Sequence, residues 1–183
     1  MRIVSGSLRG RRYCPPESFS ARPTTDFAKE NLFNVLANFV DFENSTILDL
    51  FAGSGGITYE FVSRGCQHLT CVEHDTRSLR FIAKTLADFG MAQFVKCIRG
   101  DALAFIRSTD VKYDIIFADP PYALPEVDSI PDLVLSNDIL TDDGLFILEH
   151  STAGRFNSHP CFWQTRSYGK VNFSFFRPKN ADL

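Results

Sequence analysis

Apolar residues recur along this chain with two different patterns. Over residues 26–40, Ala28, Leu32, Leu36 and Phe39 follow at steps of four, four and three, which puts them on one helical face. Thr24 or Thr25 stands where it can cap that helix. Farther on, short and nearly continuous apolar runs take over: "TILDLFA", "HLTCVEHD", "FVKCIRGD", "YDIIFADPPY" and "GLFILEH". The stretches between them read as helices near 56–64, over 76–89 and from Ala102 to Arg107, then as helical material with a break at Pro131. Continuous apolar runs mark strands buried on both faces of a parallel sheet. Strand–helix alternation marks a doubly wound α/β fold. The two ends differ from this. "FWQTRSYGKVNFSFFRP" reads as an antiparallel hairpin around Tyr168-Gly169-Lys170 at the sheet edge. "RIVSG" and "GRRYCP" read as two short strands joined by "SLRG", and "PPESFSARPTT" as a loop.

A mostly parallel seven-stranded sheet that closes with an antiparallel hairpin is the arrangement expected of the class I SAM-dependent methyltransferase (Rossmann-like) fold. The length of 183 residues suits one such domain. We divide it into a basic N-terminal β-hairpin and loop over 1–24 and a methyltransferase domain over 25–183. No run approaches the length of a transmembrane helix, and "MRIVSGSLRGRR" lacks the apolar stretch of a signal peptide. A cytoplasmic protein without a membrane partner, and a monomer, is the expectation. The cysteine count is odd, at five, and no C-x-x-C pair occurs, which argues against a disulfide framework and a metal site.

Charge changes this picture. The net charge of −3 hides basic ends on an acidic body. Residues 1–30 carry six Lys and Arg against three acids, and residues 150–181 carry five against none. The middle, 31–149, carries eight against eighteen. Such ends either meet a polyanion or are simply solvated.

Two stretches carry candidate chemistry. In "LDLFAGSGG", the first strand runs into Gly53-Ser54-Gly55-Gly56, and glycines there let the backbone turn tightly and approach a ligand. Glu73 ends the next strand, twenty residues after Gly53, the spacing at which an acid reaches ribose hydroxyls. Asp101 follows the third strand and can offer its carboxylate or nearby backbone to an adenine edge. A dinucleotide motif would need glycine at position 58, where Thr58 stands. Asp49, near the end of the first strand, disfavours a pyrophosphate and suits a cation. S-adenosylmethionine (SAM) has a sulfonium and an ammonium and no phosphate. Asp49 can attract the ammonium while Glu73 accepts from the ribose. Phe51, Ala52, His74 and Ala102 neighbour these positions and complete the expected cofactor set, although His74 can also simply follow its strand.

The second stretch is "DPPY", residues 119–122. In an open α/β sheet the fourth strand ends beside the topological switch point, next to the first strand's loop. A residue before proline is pushed out of the helical region, so Pro121 stiffens Pro120 and Pro120 stiffens Asp119. The Asp119 carboxylate and the Pro120 carbonyl become two fixed acceptors, which suit an NH2 group with two donors. Holding both N–H bonds can turn the amine lone pair toward a methyl donor, and Asp119 can neutralise the charge that develops. Tyr122 offers a face to an extruded base. The same geometry would serve guanine, adenine or cytosine.

These residues resemble a known family. "RIVSGSLRGRR", "RPTTDFAKENLFNVL", "LDLFAGSGGITYEFVSRG", "VEHD", "FADPPY", "LFILEH" and "YGKVNFSFF" are similar to the RsmD family of 16S ribosomal RNA (guanine-N(2)-)-methyltransferases, from Arg2 to Phe176. The resemblance implies SAM-dependent methylation of a guanine 2-amino group in 16S rRNA, with the RNA already held in an assembled or partly assembled small ribosomal subunit. It implies that Asp119, Pro120, Pro121 and Tyr122 form the target site, and that Gly53, Ser54, Gly55, Glu73 and Asp101 line SAM. Arg9, Arg11, Arg12, Arg22 and Thr24 would meet RNA or order the site, and Lys170 joins them as an RNA contact. Lys29 stands where arginine is expected, and Gly56 where alanine is common.

Other readings are a DNA or other RNA amino-methyltransferase, a protein-glutamine methyltransferase, and a catalytically silent SAM-fold assembly factor. The chain has no room for a target-recognition domain, which weighs against the DNA reading. Asp119, where the glutamine enzymes carry asparagine, weighs against the second. The intact Asp119 and glycine turn weigh against the third. His150, Trp163 and the phenylalanines at 173, 175 and 176 read as structural.

Overall fold

The computed structural model describes residues 1–16, 19 and 24–179. In chain order the elements are α1 (Asp26–Leu36), β1 (Thr46–Leu50), α2 (Gly56–Ser63), β2 (His68–Glu73), α3 (Thr76–Asp88), β3 (Val95–Arg99) and α4 (Ala102–Ser108). They continue with β4 (Tyr113–Ala118), α5 (Ile130–Ser136), β5 (Leu140–His150), β6 (Phe162–Tyr168) and β7 (Val171–Phe176). The strands form one seven-stranded sheet in the order β3-β2-β1-β4-β5-β7-β6. Pairing is parallel from β3 through β5, and β7 joins both β5 and β6 antiparallel. This is the class I SAM-dependent methyltransferase arrangement that the chain's pattern predicts.

The alternation of strand side chains divides the interior into two layers. Ile47, Ile115, Phe117, Ile147, Phe173 and Phe175 pack with apolar residues of α1, α2 and α3 on one face. Leu48, Leu50, Ile116, Phe146, Leu148 and Phe176 pack with those of α4 and α5 on the other. Both faces are covered, so the strands read as unbroken apolar runs.

α1 is capped by Thr25, whose hydroxyl accepts the Ala28 N–H at 3.2 Å. The helix stops at Leu36, short of the expected residue 40, and Phe39, in the turn that follows, stands edge-on to Trp163 of β6. The N-terminal hairpin is reduced to one bridge, Arg2 with Arg12. Ile3 N and Tyr13 N still donate across the hairpin, to the Arg11 carbonyl at 2.9 Å and the Met1 carbonyl at 3.1 Å, while three other donors go to α2: Val4 N to Glu60 Oε1 at 2.7 Å, Ser7 N to the Ser63 carbonyl at 2.7 Å and Leu8 N to Ser63 Oγ at 3.0 Å. Ile3, Leu8 and Tyr13 are buried in the same layer as α1. The apolar side chains before residue 24 therefore share a core with those after it. No helix among the described residues is long and apolar enough to cross a membrane.

Candidate active site

The carboxyl ends of β1 to β4 open onto one cavity of about 660 Å³. After Leu50 the chain turns sharply, with Phe51 (φ 59°), Gly53 (φ 56°) and Gly55 (φ 83°) in the left-handed region. Glycine adopts that region freely. For Phe51 it is strained, and strain of this kind collects at functional loops. Glu73, at the end of β2, braces the turn. Its Oε2 accepts the Gly53 N–H at 2.7 Å and its Oε1 accepts the Asp75 N–H at 2.7 Å. A carboxylate has about four lone-pair directions, so two remain for ribose hydroxyls.

Phe51, Gly53, Ser54, Glu73, His74, Asp101 and Ala102 all line this cavity. Asp101 also caps α4, accepting the Ala104 N–H at 2.8 Å with one oxygen, which leaves the other for a ligand. Gly55 faces away from the cavity: a Cβ there would lie 2.6 Å from the Tyr59 ring, so close packing is what its lack of a side chain permits. The sequence reading missed part of the wall. Met1, Pro15, Pro16 and Phe19 come from the N-terminal segment, and Phe19 stands edge-on to Phe81 of α3.

Asp49 and Ala52 lie deeper, on a second cavity of about 60 Å³ that shares Phe51, Gly53, Ser54 and Asp119 with the first. Asp49 is 1 % exposed and accepts the Thr58 hydroxyl at 2.5 Å. Burial pushes its carboxyl up to about 7, against the hydrogen bond from Thr58. Asp119 lines both cavities. Its backbone N–H reaches the Leu50 carbonyl at 3.4 Å, which ties the "DPPY" turn to β1. The Asp119 carboxyl is raised well above the ordinary range, first by burial, then by Glu149 and Asp49. Pro120, Pro121 and Tyr122 continue the wall, with Tyr122 68 % exposed at the rim.

One acid here escaped the sequence reading. Glu149, at the end of β5, is buried, accepts the Thr24 hydroxyl at 2.9 Å and is pushed up to about 7 by burial. Its signal was present: an acid closes an apolar strand run, as at Asp119 and Glu73. His150 beside it is structural, sharing a 2.7 Å hydrogen bond with Ser174.

The basic residues are spread out. The N-terminal hairpin lies along α2, with Met1 near Ser54 and Gly6 against Ser63 at the other end. Its tip, with exposed Arg9, therefore points away from the cavity mouth, by about 10 Å along α2 at 1.5 Å per residue. Arg11 lies over the Phe89 ring, 5.8 Å from its centroid, past the end of α3. Arg12 is exposed on the returning limb, one residue before Tyr13, whose hydroxyl reaches Gly56 at the start of α2. Lys170 is exposed in the β6–β7 turn, next to Val171, and His150 pairs with Asn172. That turn thus opens on the same sheet edge as Asp119. Arg22 lies outside the described residues.

A family model described as "Conserved hypothetical protein 95" matches residues 1–177. Ribosomal RNA small subunit methyltransferase D of Escherichia coli strain K12 is 31 % identical over 163 residues, 89 % of this chain and 81 % of that protein. The protein of the same name from Buchnera aphidicola subsp. Baizongia pistaciae is 28 % identical over 184 residues, 98 % of this chain and 93 % of its own length. The chain belongs to the RsmD family. A solved structure described as "Putative methyltransferase yhhF from Escherichia coli" superposes with a TM-score of 0.83 at 28 % identity, covering 97 % of this chain and 98 % of that one. S-adenosyl-L-methionine is the cofactor of such methyltransferases, and the glycine turn, Glu73 and the acids around the cavity fit it.

This member of the RsmD family departs from the expected pattern at two positions, and the structure accounts for both. Lys29 is 2 % exposed; its Nζ donates to the Arg2 carbonyl at 2.8 Å and meets Glu60 and Asp26, each at 3.4 Å. It fastens the N-terminal segment to α1 and α2. At Gly56 a Cβ would stand 3.1 Å from the Tyr13 hydroxyl, which occupies the space an alanine methyl would take.

Proposed function

We propose that this chain methylates the exocyclic 2-amino group of a guanine in 16S ribosomal RNA of the small subunit, using SAM. The observation that carries the reading is the placement of Asp119–Pro120 and the Glu73-braced glycine turn on one cavity, with Tyr122 exposed at its rim. The ribosomal target is supported by the names of the relatives, and guanine N2 by the family resemblance.

The cofactor supplies an electrophilic methyl group next to a positive charge. Glu73, Asp101 and the glycine turn would hold its adenosine end, and Asp49 would offset the charge of its ammonium. The Asp119 carboxylate and the Pro120 carbonyl accept the two N–H bonds of the target amine. That aims the nitrogen lone pair at the methyl group, and the carboxylate offsets the positive charge that builds on nitrogen. As the amine takes up the methyl group that the cofactor would supply, its proton would leave toward Asp119. Tyr122 offers a stacking face to a base drawn out of the RNA. Most of the acceleration comes from positioning.

Mass spectrometry of small-subunit rRNA from a deletion strain, before and after treatment with this protein and SAM, tests the reading. Restoration of one N2-methylguanine supports it. Restoration of methyladenine or methylcytosine, or of nothing, rejects it.

A further inference from the structure

Glu149 takes no part in the reaction just described, yet its placement is tied to it. Ala118 of β4 and Leu148 of β5 are register partners. The next residue on each strand is Asp119 and Glu149, so the two leave the sheet in phase, on strands about 4.8 Å apart. Glu149 is 4 % exposed. It accepts the Thr24 hydroxyl at 2.9 Å. Thr24 directly precedes the cap of α1, and it lines the small cavity together with Lys29, Asp49 and Asp119. Glu149 therefore joins the loop before α1 to the acid that ends β4.

We propose that Glu149 is a positioning residue of the target site: it tethers the loop before α1 through Thr24, and its negative charge sets the proton occupancy of Asp119. The inference rests on the reading of Asp119 as the acceptor of the target amine. Two carboxyl groups side by side in a dry site do not both ionise readily, and their titration belongs to the pair. The Thr24 hydroxyl stabilises charge on Glu149, so the remaining proton stays on Asp119. A protonated Asp119 is a donor and competes with the amine it must hold. Glu149 thus sets the pH below which the site cannot grip its substrate.

The other groups around Asp119 do not replace this role. Asp49 of β1 adds to the repulsion. Lys29 of α1 and Tyr13 of the N-terminal segment also line the small cavity, but Lys29 is engaged by Glu60, Asp26 and the Arg2 carbonyl, and burial holds Tyr13 protonated. β7 contributes only the uncharged Phe173 opposite Glu149, and burial keeps His150 neutral.

Glu149→Gln keeps an acceptor for Thr24 and removes the charge. In the cofactor-free protein, 13C NMR is expected to show the Asp119 carboxyl titrating about one pH unit lower or more. The acidic limb of kcat for RNA methylation is expected to move the same way. Thr24→Val should move both in that direction by less, because Glu149 then takes a larger share of the proton. An unchanged Asp119 titration in a folded Glu149→Gln protein overturns the inference, whatever happens to activity. If the wild-type protein methylates no RNA, the functional reading fails, and the NMR titration still decides the role of Glu149.

Discussion

Glu73 holds the backbone N–H of Gly53 at 2.7 Å with one carboxylate oxygen and that of Asp75 at 2.7 Å with the other. The loops that end β1 and β2 are therefore one mechanical unit. Glu73→Ala removes both bonds and any ribose contact at once. SAM affinity by calorimetry is expected to fall at least about tenfold, since each hydrogen bond to a charged group is worth roughly 1.5–3 kcal/mol. Unchanged affinity would show that Glu73 braces nothing the cofactor needs.

In the proposed reaction Asp119 holds the amine, and its backbone is tied to Leu50 rather than to the glycine turn. Asp119→Ala is expected to lower methyl transfer by about a hundredfold or more while cofactor binding survives. A tritium-transfer assay read against calorimetry separates the two. Wild-type turnover would remove Asp119 from the mechanism.

Asp49 gives a pH dependence. Its carboxyl is pushed up to about 7 in the fold by burial, against about 3.9 in an unfolded chain. The folded state then binds more protons between those values, so this group lowers cofactor-free stability as pH rises from about 4 to about 7. Asp49→Asn removes that slope, and its melting temperature relative to wild type should climb over the same range. A cationic ligand favours the ionised form, so wild-type SAM affinity should tighten as pH rises through about 7, with proton release visible as a buffer dependence of the calorimetric heat. A buffer-independent heat would contradict it.

The placement of the basic residues separates near from far. Lys170→Glu and Arg12→Glu stand close to the target edge and should weaken RNA binding, with a shallower salt slope than wild type. Arg9→Glu, at the far tip of the hairpin, should weaken it less. Binding measured across a salt series decides this, and an Arg9 effect larger than that of Lys170 would place the RNA along α2 instead.

Glu60 is fully buried in α2 and holds Val4 N, Lys29 and Arg64. Glu60→Ala removes the buried carboxylate that Val4 N, Lys29 and Arg64 share, a loss of about 3–5 kcal/mol in stability. Chemical denaturation should show it. A loss of under about 1 kcal/mol would mean that the N-terminal segment is held by its apolar contacts and its bonds to Ser63 and Lys29 without need of Glu60.

The sheet was legible because its strands are buried on both faces, which writes them as unbroken apolar runs. The acids proposed for the cofactor, Glu73 and Asp101, were legible because each closes or follows such a run. The extent of α1 was less so, since Phe39 is apolar at helical spacing yet packs on Trp163 from a turn. The hairpin's ladder was not legible either, because nothing local says that Val4 and Leu8 will donate to α2 rather than across the turn.

The chain by itself determined the strand–helix order, the glycine turn, the stiff Asp119–Pro120 pair and the family. Those are local matters: periodicity, dihedral restriction and the chemistry of short motifs. Only the tertiary structure decided which acids meet. Asp49, Asp119 and Glu149 come from three different strands, and parallel register gathers them at one edge. It also turned the basic hairpin tip away from that edge, because Gly6 and Leu8 dock at the far end of α2. Long-range contacts of this kind leave no periodic trace, since each depends on a partner far away in the chain.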